Sequence, residues 1–88
     1  MTPRKRPHVK SKRIGRSGIL LDLVTGEYFE LDETALAIWT LVDGKTSAIG
    51  IAKKLATKYG APAAVVEKDV TSFLAELRKR SLIETARA

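Results

Sequence analysis

Hydrophobic and polar positions alternate twice in the first third of the chain. In residues 18–23 (GILLDL), Ile19, Leu21 and Leu23 fall on one side and Leu20 and Asp22 on the other. In residues 26–31 (GEYFEL), Phe29 and Leu31 separate from Tyr28 and Glu30. A period of two over short runs joined through Val24, Thr25 and Gly26 predicts a hairpin, with Gly26 taking the positive φ that the turn requires. The alternation in residues 8–14 is weaker and leaves room for an earlier strand. From Asp32 onward the period lengthens. Asp32 is placed to cap a first helix carrying Ala35, Ile38, Trp39 and Val42, which ends at Asp43-Gly44. Thr46 or Ser47 can cap a second, with Ile49, Ala52, Leu55, Ala56 and Tyr59 on one stripe and Gly60 past its last turn. Pro62 opens a third, whose stripe is Val66, Val70, Phe73, Leu74 and Leu77. Arg78, Lys79 and Arg80 crowd its negative end.

Strands followed by three helices in 88 residues make one α+β domain with a single core, too small for a separate catalytic unit. No linker or repeat divides it. The charge is unevenly placed. The net +6 of the chain conceals seven basic residues and no acid in residues 1–16, against nine basic and ten acidic residues in the remainder. The reading is a basic, flexible N-terminal arm over residues 1–16 and a near-neutral folded domain over residues 17–88. The arm either aids solubility or touches an acidic partner.

The candidate chemistry is sparse. There is no cysteine, and the single histidine, His8, falls in the arm as a solvated residue, so neither a metal site nor a cofactor is expected. Asp32 and Glu33 are adjacent acids at a helix start, serving cap and dipole and pointing in different directions. No phosphate loop, paired carboxylates on one face or Ser-His arrangement occurs, and the chain is read as a non-enzyme. No apolar run reaches the roughly 18 residues of a membrane span, and no signal segment follows the basic start, which points to the cytoplasm. The absence of Asn and Gln, with one Met, suits a heat-adapted source or a biased genome. Trp39 reads as core.

Three helices and a hairpin also raise the question of DNA. The third helix would be the reader, yet its first half offers Val65, Val66, Glu67, Lys68, Asp69 and Val70, where base readout favours Arg, Lys, Asn or Gln. Specific nucleic-acid binding is therefore not expected. The stronger opportunity lies in the backbone. The last strand of a short meander, Glu27, Tyr28, Phe29, Glu30 and Leu31, would lie at the sheet edge with unpaired amides and carbonyls. If the third helix runs beside it, the two form a groove for an extended peptide. The bland alternative makes Val66, Val70 and Phe73 ordinary core and leaves the edge protected by charge.

The stretch GILLDLVTGEYFELDETALAIWTLVDG, with TSAIGIAKKLATKYGAPAAVVEKDVTSFLAELRKRSLIE after it, resembles the PqqD-like family. That family supplies the element recognising precursor peptides of ribosomally made, post-translationally modified products. The likeness spans about residues 18–84 and is most specific from Leu20 to Trp39. Family members often carry Asn where this chain has Asp32, a change that keeps the cap. The resemblance implies a winged helix-turn-helix-like fold, an N-terminal three-stranded antiparallel sheet followed by three helices. It implies binding of a leader segment, added as a strand to the third strand and lying against the third helix. Carried onto this sequence, the binding residues are Glu27, Tyr28, Phe29, Glu30 and Leu31 on the strand, and Val66, Asp69, Val70 and Phe73 on the helix. The implied partners are a precursor leader peptide and a leader peptidase or other modifying enzyme. The chain is similar both to the leader-binding protein of lasso-peptide pathways and to the small pyrroloquinoline quinone protein that serves a radical enzyme. Its hairpin and the tail after Leu82-Ile83 look closer to the former.

Overall fold

The computed structural model describes residues 2–86. In chain order the elements are β1 (Pro3–Lys5), β2 (Val9–Ile14), β3 (Ser17–Asp22), β4 (Tyr28–Leu31), α1 (Glu33–Thr40), α2 (Ala48–Tyr59), α3 (Ala63–Lys79) and β5 (Ile83–Thr85). Strands β2, β3 and β4 form an antiparallel sheet in that spatial order, and β1 pairs antiparallel with β5 in a separate two-stranded sheet.

The segment read as a flexible arm is therefore a correction. Within residues 1–16 lie β1 and β2; Pro3 is fully buried, and β1 matches Pro3 with Thr85 and Lys5 with Ile83. The Arg6 amide donates to the Leu82 carbonyl at 3.2 Å, and the Arg4 guanidinium lies 3.1 Å from the Glu84 carboxylate. The weak alternation over residues 8–14 left room for β2, which is almost wholly exposed, but could not reveal β1, which is ordered by backbone pairing with residues near the other end of the chain. The three-stranded sheet is accordingly accompanied by a second sheet that ties the two ends of the chain together.

The other elements form for local reasons. The Asp22 carboxylate accepts from the Val24 and Thr25 amides at 2.8 and 3.2 Å, and Gly26, at φ 78°, donates to the Asp22 carbonyl, closing the β3–β4 turn. Burial pushes the Asp22 carboxyl up, but those two amides and nearby His8 outweigh it and hold it below the ordinary carboxylate range. The Asp32 carboxylate accepts from the Ala35 amide at 2.8 Å to start α1, and Ser47 rather than Thr46 caps α2 through the Gly50 amide. Gly18 permits α1 to close on the sheet: a Cβ there would sit 2.9 Å from Leu36 Cδ1 and 3.2 Å from the Lys12 carbonyl oxygen.

The core lies between the inner face of the sheet and the helices. It comprises Leu20, Leu31, Leu36, Ile38, Trp39, Val42, Ile51, Ala52, Leu55, Val70, Leu74, Leu77, Leu82 and Ile83. Of the two possible faces of β3, the one bearing Leu20 and Asp22 turns inward, leaving Leu21 exposed. On α2, Ile51 is buried and Ile49 exposed, the reverse of what the stripe drawn through Ile49 and Ala52 implies.

Candidate functional site

Among the described residues, strand β4 pairs on one side only, with β3, in the register Gly18↔Leu31, Ile19↔Glu30, Leu20↔Phe29 and Leu21↔Tyr28. The Asp22 amide donates to the Glu27 carbonyl at 2.9 Å, which makes that pair hydrogen-bonded. Antiparallel pairs alternate in type, so Leu20/Phe29 and Gly18/Leu31 exchange bonds while Leu21/Tyr28 and Ile19/Glu30 do not. The amides and carbonyls of Tyr28 and Glu30 therefore point to the open side of β4. Outside the β3–β4 ladder, no hydrogen bond to any of these four groups occurs among the described residues.

The opposite edge of the sheet, β2, is guarded differently. It carries Lys10, Lys12 and Arg13, the charged edge that discourages strand pairing. On β4 the side chains are Tyr28, Phe29, Glu30 and Leu31. Tyr28 and Glu30 face outward and are exposed, Phe29 is half-buried, and Leu31 is buried.

The helical side of the site comes from α3. On a helix of 3.6 residues per turn, positions 66, 69, 73, 76 and 80 fall within about 80° of arc, beside the stripe that faces the core. Arg80, just past α3, lies on that strip and reaches β4: its guanidinium carbon is 5.0 Å from the centre of the Phe29 ring. Its Nε is 2.9 Å from the Glu76 carboxylate. Val66 and Phe73 are half-buried against the core, and Asp69 is exposed. Val70 is not on this strip. At 1% exposure it belongs to the core, its side chain being rotated toward the buried Leu74 and Leu77, so it can only support the wall from behind. The structure thus brings Tyr28, Phe29, Glu30 and Leu31 together on one edge, leaves Glu27 in the turn before β4, and sets Val66, Asp69 and Phe73 on the flank of α3 that Arg80 extends to Phe29. Sequence reasoning assigned Arg80 only to the helix dipole; the i, i+7 spacing from Phe73 was the available signal.

No group of three or more His, Cys, Asp or Glu residues that could hold a metal ion occurs among the described residues. No helix there is long and apolar enough to cross a membrane. The assembled chemistry is main-chain donors and acceptors beside an aromatic and cationic wall.

The profile of the family described as coenzyme PQQ synthesis protein D (PqqD) matches residues 17–83. The chain belongs to the PqqD family. Among curated relatives it is 38% identical over 56 residues to the bifunctional coenzyme PQQ synthesis protein C/D of Methylorubrum extorquens, and 37% identical over 57 residues to the PqqA binding protein of Gluconobacter oxydans. These alignments cover 64% and 65% of this chain but only 15% and 59% of those proteins. Among solved structures, TbiB1 in complex with the TbiA(beta) leader peptide superposes with a TM-score of 0.85 at 29% identity, covering 97% of this chain and 99% of that one. The PqqD truncation of Methylobacterium extorquens PqqCD, a stand-alone recognition element, gives 0.78 at 31% identity over 93% of this chain and 87% of that one. The family profile starts at β3, whereas the TbiB1 match takes in nearly the whole chain, β1 and β2 included. The PqqD fold here therefore extends beyond the profile at its N-terminal end.

Proposed function

We propose that this PqqD-family protein binds the leader segment of a ribosomally synthesised precursor peptide as an added strand on β4 and delivers it to a processing enzyme. The observation that carries the reading is the open edge at Tyr28 and Glu30, four main-chain groups without partners among the described residues, beside Phe29 and the Arg80 guanidinium that lies over its ring. A guest strand would pair with these groups, and every second side chain would point inward over Phe29 and α3. Glu27 to Leu31 supply the strand side; Val66, Asp69 and Phe73 supply the wall; Val70 backs it. The hairpin and three helices are then a winged-helix-like frame used for peptide rather than DNA, in keeping with Glu67 and Asp69 exposed on α3.

The role is delivery without catalysis. Holding the leader raises the effective concentration of the attached core peptide at the enzyme. A leader peptidase of a lasso-peptide pathway is the partner we favour; the likeness to leader-bound TbiB1 supports the leader-binding part of that reading. The cytoplasm, where precursors are made, is the corresponding compartment. Amide hydrogen exchange on the domain with and without the leader peptide encoded in the same gene neighbourhood tests the reading. The Tyr28 and Glu30 amides should become protected on binding, while those of Phe29 and Leu31, already in the β3 ladder, change little. Binding with no protection at Tyr28 and Glu30 would overturn it.

A further inference from the structure

A cleft of about 220 Å³ lies away from β4, between the β2–β3 turn and helices α1 and α2. Arg13 reaches it from the end of β2 and Arg16 from the turn, Lys54 and Lys58 from successive turns of α2, and Glu33 is the one acid on its lining among the described residues. Its floor includes the buried Leu36 and Leu55. The Arg13 Nε donates to the Gly15 carbonyl at 3.0 Å, which steadies that guanidinium at the mouth. No carboxylate stands within ion-pair distance of these four cations among the described residues, although Arg4 and Arg6 share Glu84 and Arg80 has Glu76. Four cations against one acid leave the lining net positive, which favours an anion, and Lys58 Nζ also lies 5.5 Å from the centre of the Tyr59 ring on the same lining.

We infer that this cleft binds an acidic stretch of the same peptide whose extended part lies on β4, a second anchor that rests on the strand-addition reading above. The chemistry selects the occupant. An apolar floor with cations around its rim suits carboxylates flanking an apolar side chain. A nucleic acid would call for cations strung along a track of phosphates, and here they converge on a single hollow.

The geometry allows one chain to reach both places. Arg13, Gly18 and Leu31 are paired across the sheet. With strands about 4.8 Å apart, a guest beside β4 would run about 15 Å from the Arg13 backbone. About five extended residues cover that distance. A shallow hollow lined by Ile14, Ser17, Glu30 and Asp32 lies between, at the same end of the sheet.

Two titrations followed by amide chemical shifts test the proposal. In the first, acetyl-Asp-Glu-Leu-Asp-Glu-amide should move the signals of Arg16, Lys54, Lys58 and Tyr59, and leave Tyr28 to Leu31 unmoved. The same peptide with lysines for the acids should do nothing. In the second, the leader peptide extended past its β4 segment by an acidic tail should bind about tenfold tighter than one with a serine tail, as two or three exposed ion pairs allow. The gain should vanish in Lys54→Glu/Lys58→Glu and in Arg16→Glu, all exposed positions, and in 1 M salt. Shifts scattered over every lysine, or a tail gain that survives charge reversal, would overturn the cleft. A pentapeptide that binds while the tail adds nothing would overturn the shared-peptide occupant, and tighter binding of a short DNA duplex at the same signals would overturn the peptide chemistry. Should the leader fail to pair with β4, the first titration still reads the cleft, because its signals lie on different elements.

Discussion

Replacing Glu30 by proline removes one backbone donor while leaving the sheet that supports it intact. Glu30 faces Ile19 in a pair that exchanges no hydrogen bonds, so its amide takes no part in the β3–β4 ladder. Proline there costs the native domain about 1 kcal/mol or less, from fixing φ in an already extended segment. For a guest strand the consequences are larger. A neutral hydrogen bond contributes about 1 kcal/mol net, and a guest carbonyl desolvated against the proline ring with no donor raises the loss to about 2 kcal/mol, roughly thirtyfold in Kd. Fluorescence anisotropy of a labelled leader peptide measures this directly, with circular dichroism confirming the fold. Two controls bracket the result. Glu30→Ala, which keeps the amide, should change affinity by less than about threefold because its side chain is exposed on the outer face. Phe29→Pro, which removes an amide that pairs with Leu20, should unsettle the domain itself. A folded Glu30→Pro protein with full affinity would refute strand addition on β4, and an equal loss in Glu30→Ala would show that the side chain carries the binding.

Other outcomes follow from the same geometry. Phe73→Ala should weaken leader binding by about 1 to 3 kcal/mol in anisotropy titrations, whereas Leu74→Ala, one position on but buried at 1% exposure, should instead lower folding stability by about 2 to 5 kcal/mol in urea. Deleting residues 1–6 should destabilise the domain by about 2 kcal/mol, because buried Pro3 is lost and Ile83 loses its cover; an unchanged melting temperature would restore the idea of a free arm. Asp22 and Asp43 titrate below the ordinary carboxylate range, Asp43 because the Lys45 and Thr46 amides bond to it. Their contribution is complete above the ordinary value near 4 and is lost as pH falls through their lowered folded values, since there the unfolded chain binds more protons. Urea midpoints should thus hold from pH 7 to 5 and decline below 4, and Asp22→Asn with Asp43→Asn should flatten that decline.

Much of this molecule is written locally. The β3–β4 hairpin around Gly26, the Asp32 and Ser47 caps, and the stripes of α1 and α3 follow from spacing and turn chemistry, each needing only neighbours a few residues away, whereas the α2 stripe was drawn through the exposed Ile49 and Tyr59. The candidate edge was legible from the order of the meander, but it stays open only because the last strand, β5, pairs with β1 instead of β4. Other features depended on the assembled chain. Apolar side chains stand on both faces of β3, and only the position of α1, admitted by Gly18, turned Leu20 inward and left Leu21 exposed. Pairing of β1 with β5 joins the two ends of the chain through backbone groups that every residue possesses, so no side-chain pattern could announce it. The placement of Arg80 on Phe29, the retreat of Val70 into the core and the gathering of Arg13, Arg16, Lys54 and Lys58 around one cleft likewise arise between segments distant in sequence. Periodicity reports which side of an element is apolar; which neighbour meets that side is decided only when all elements compete to bury their surfaces in one core.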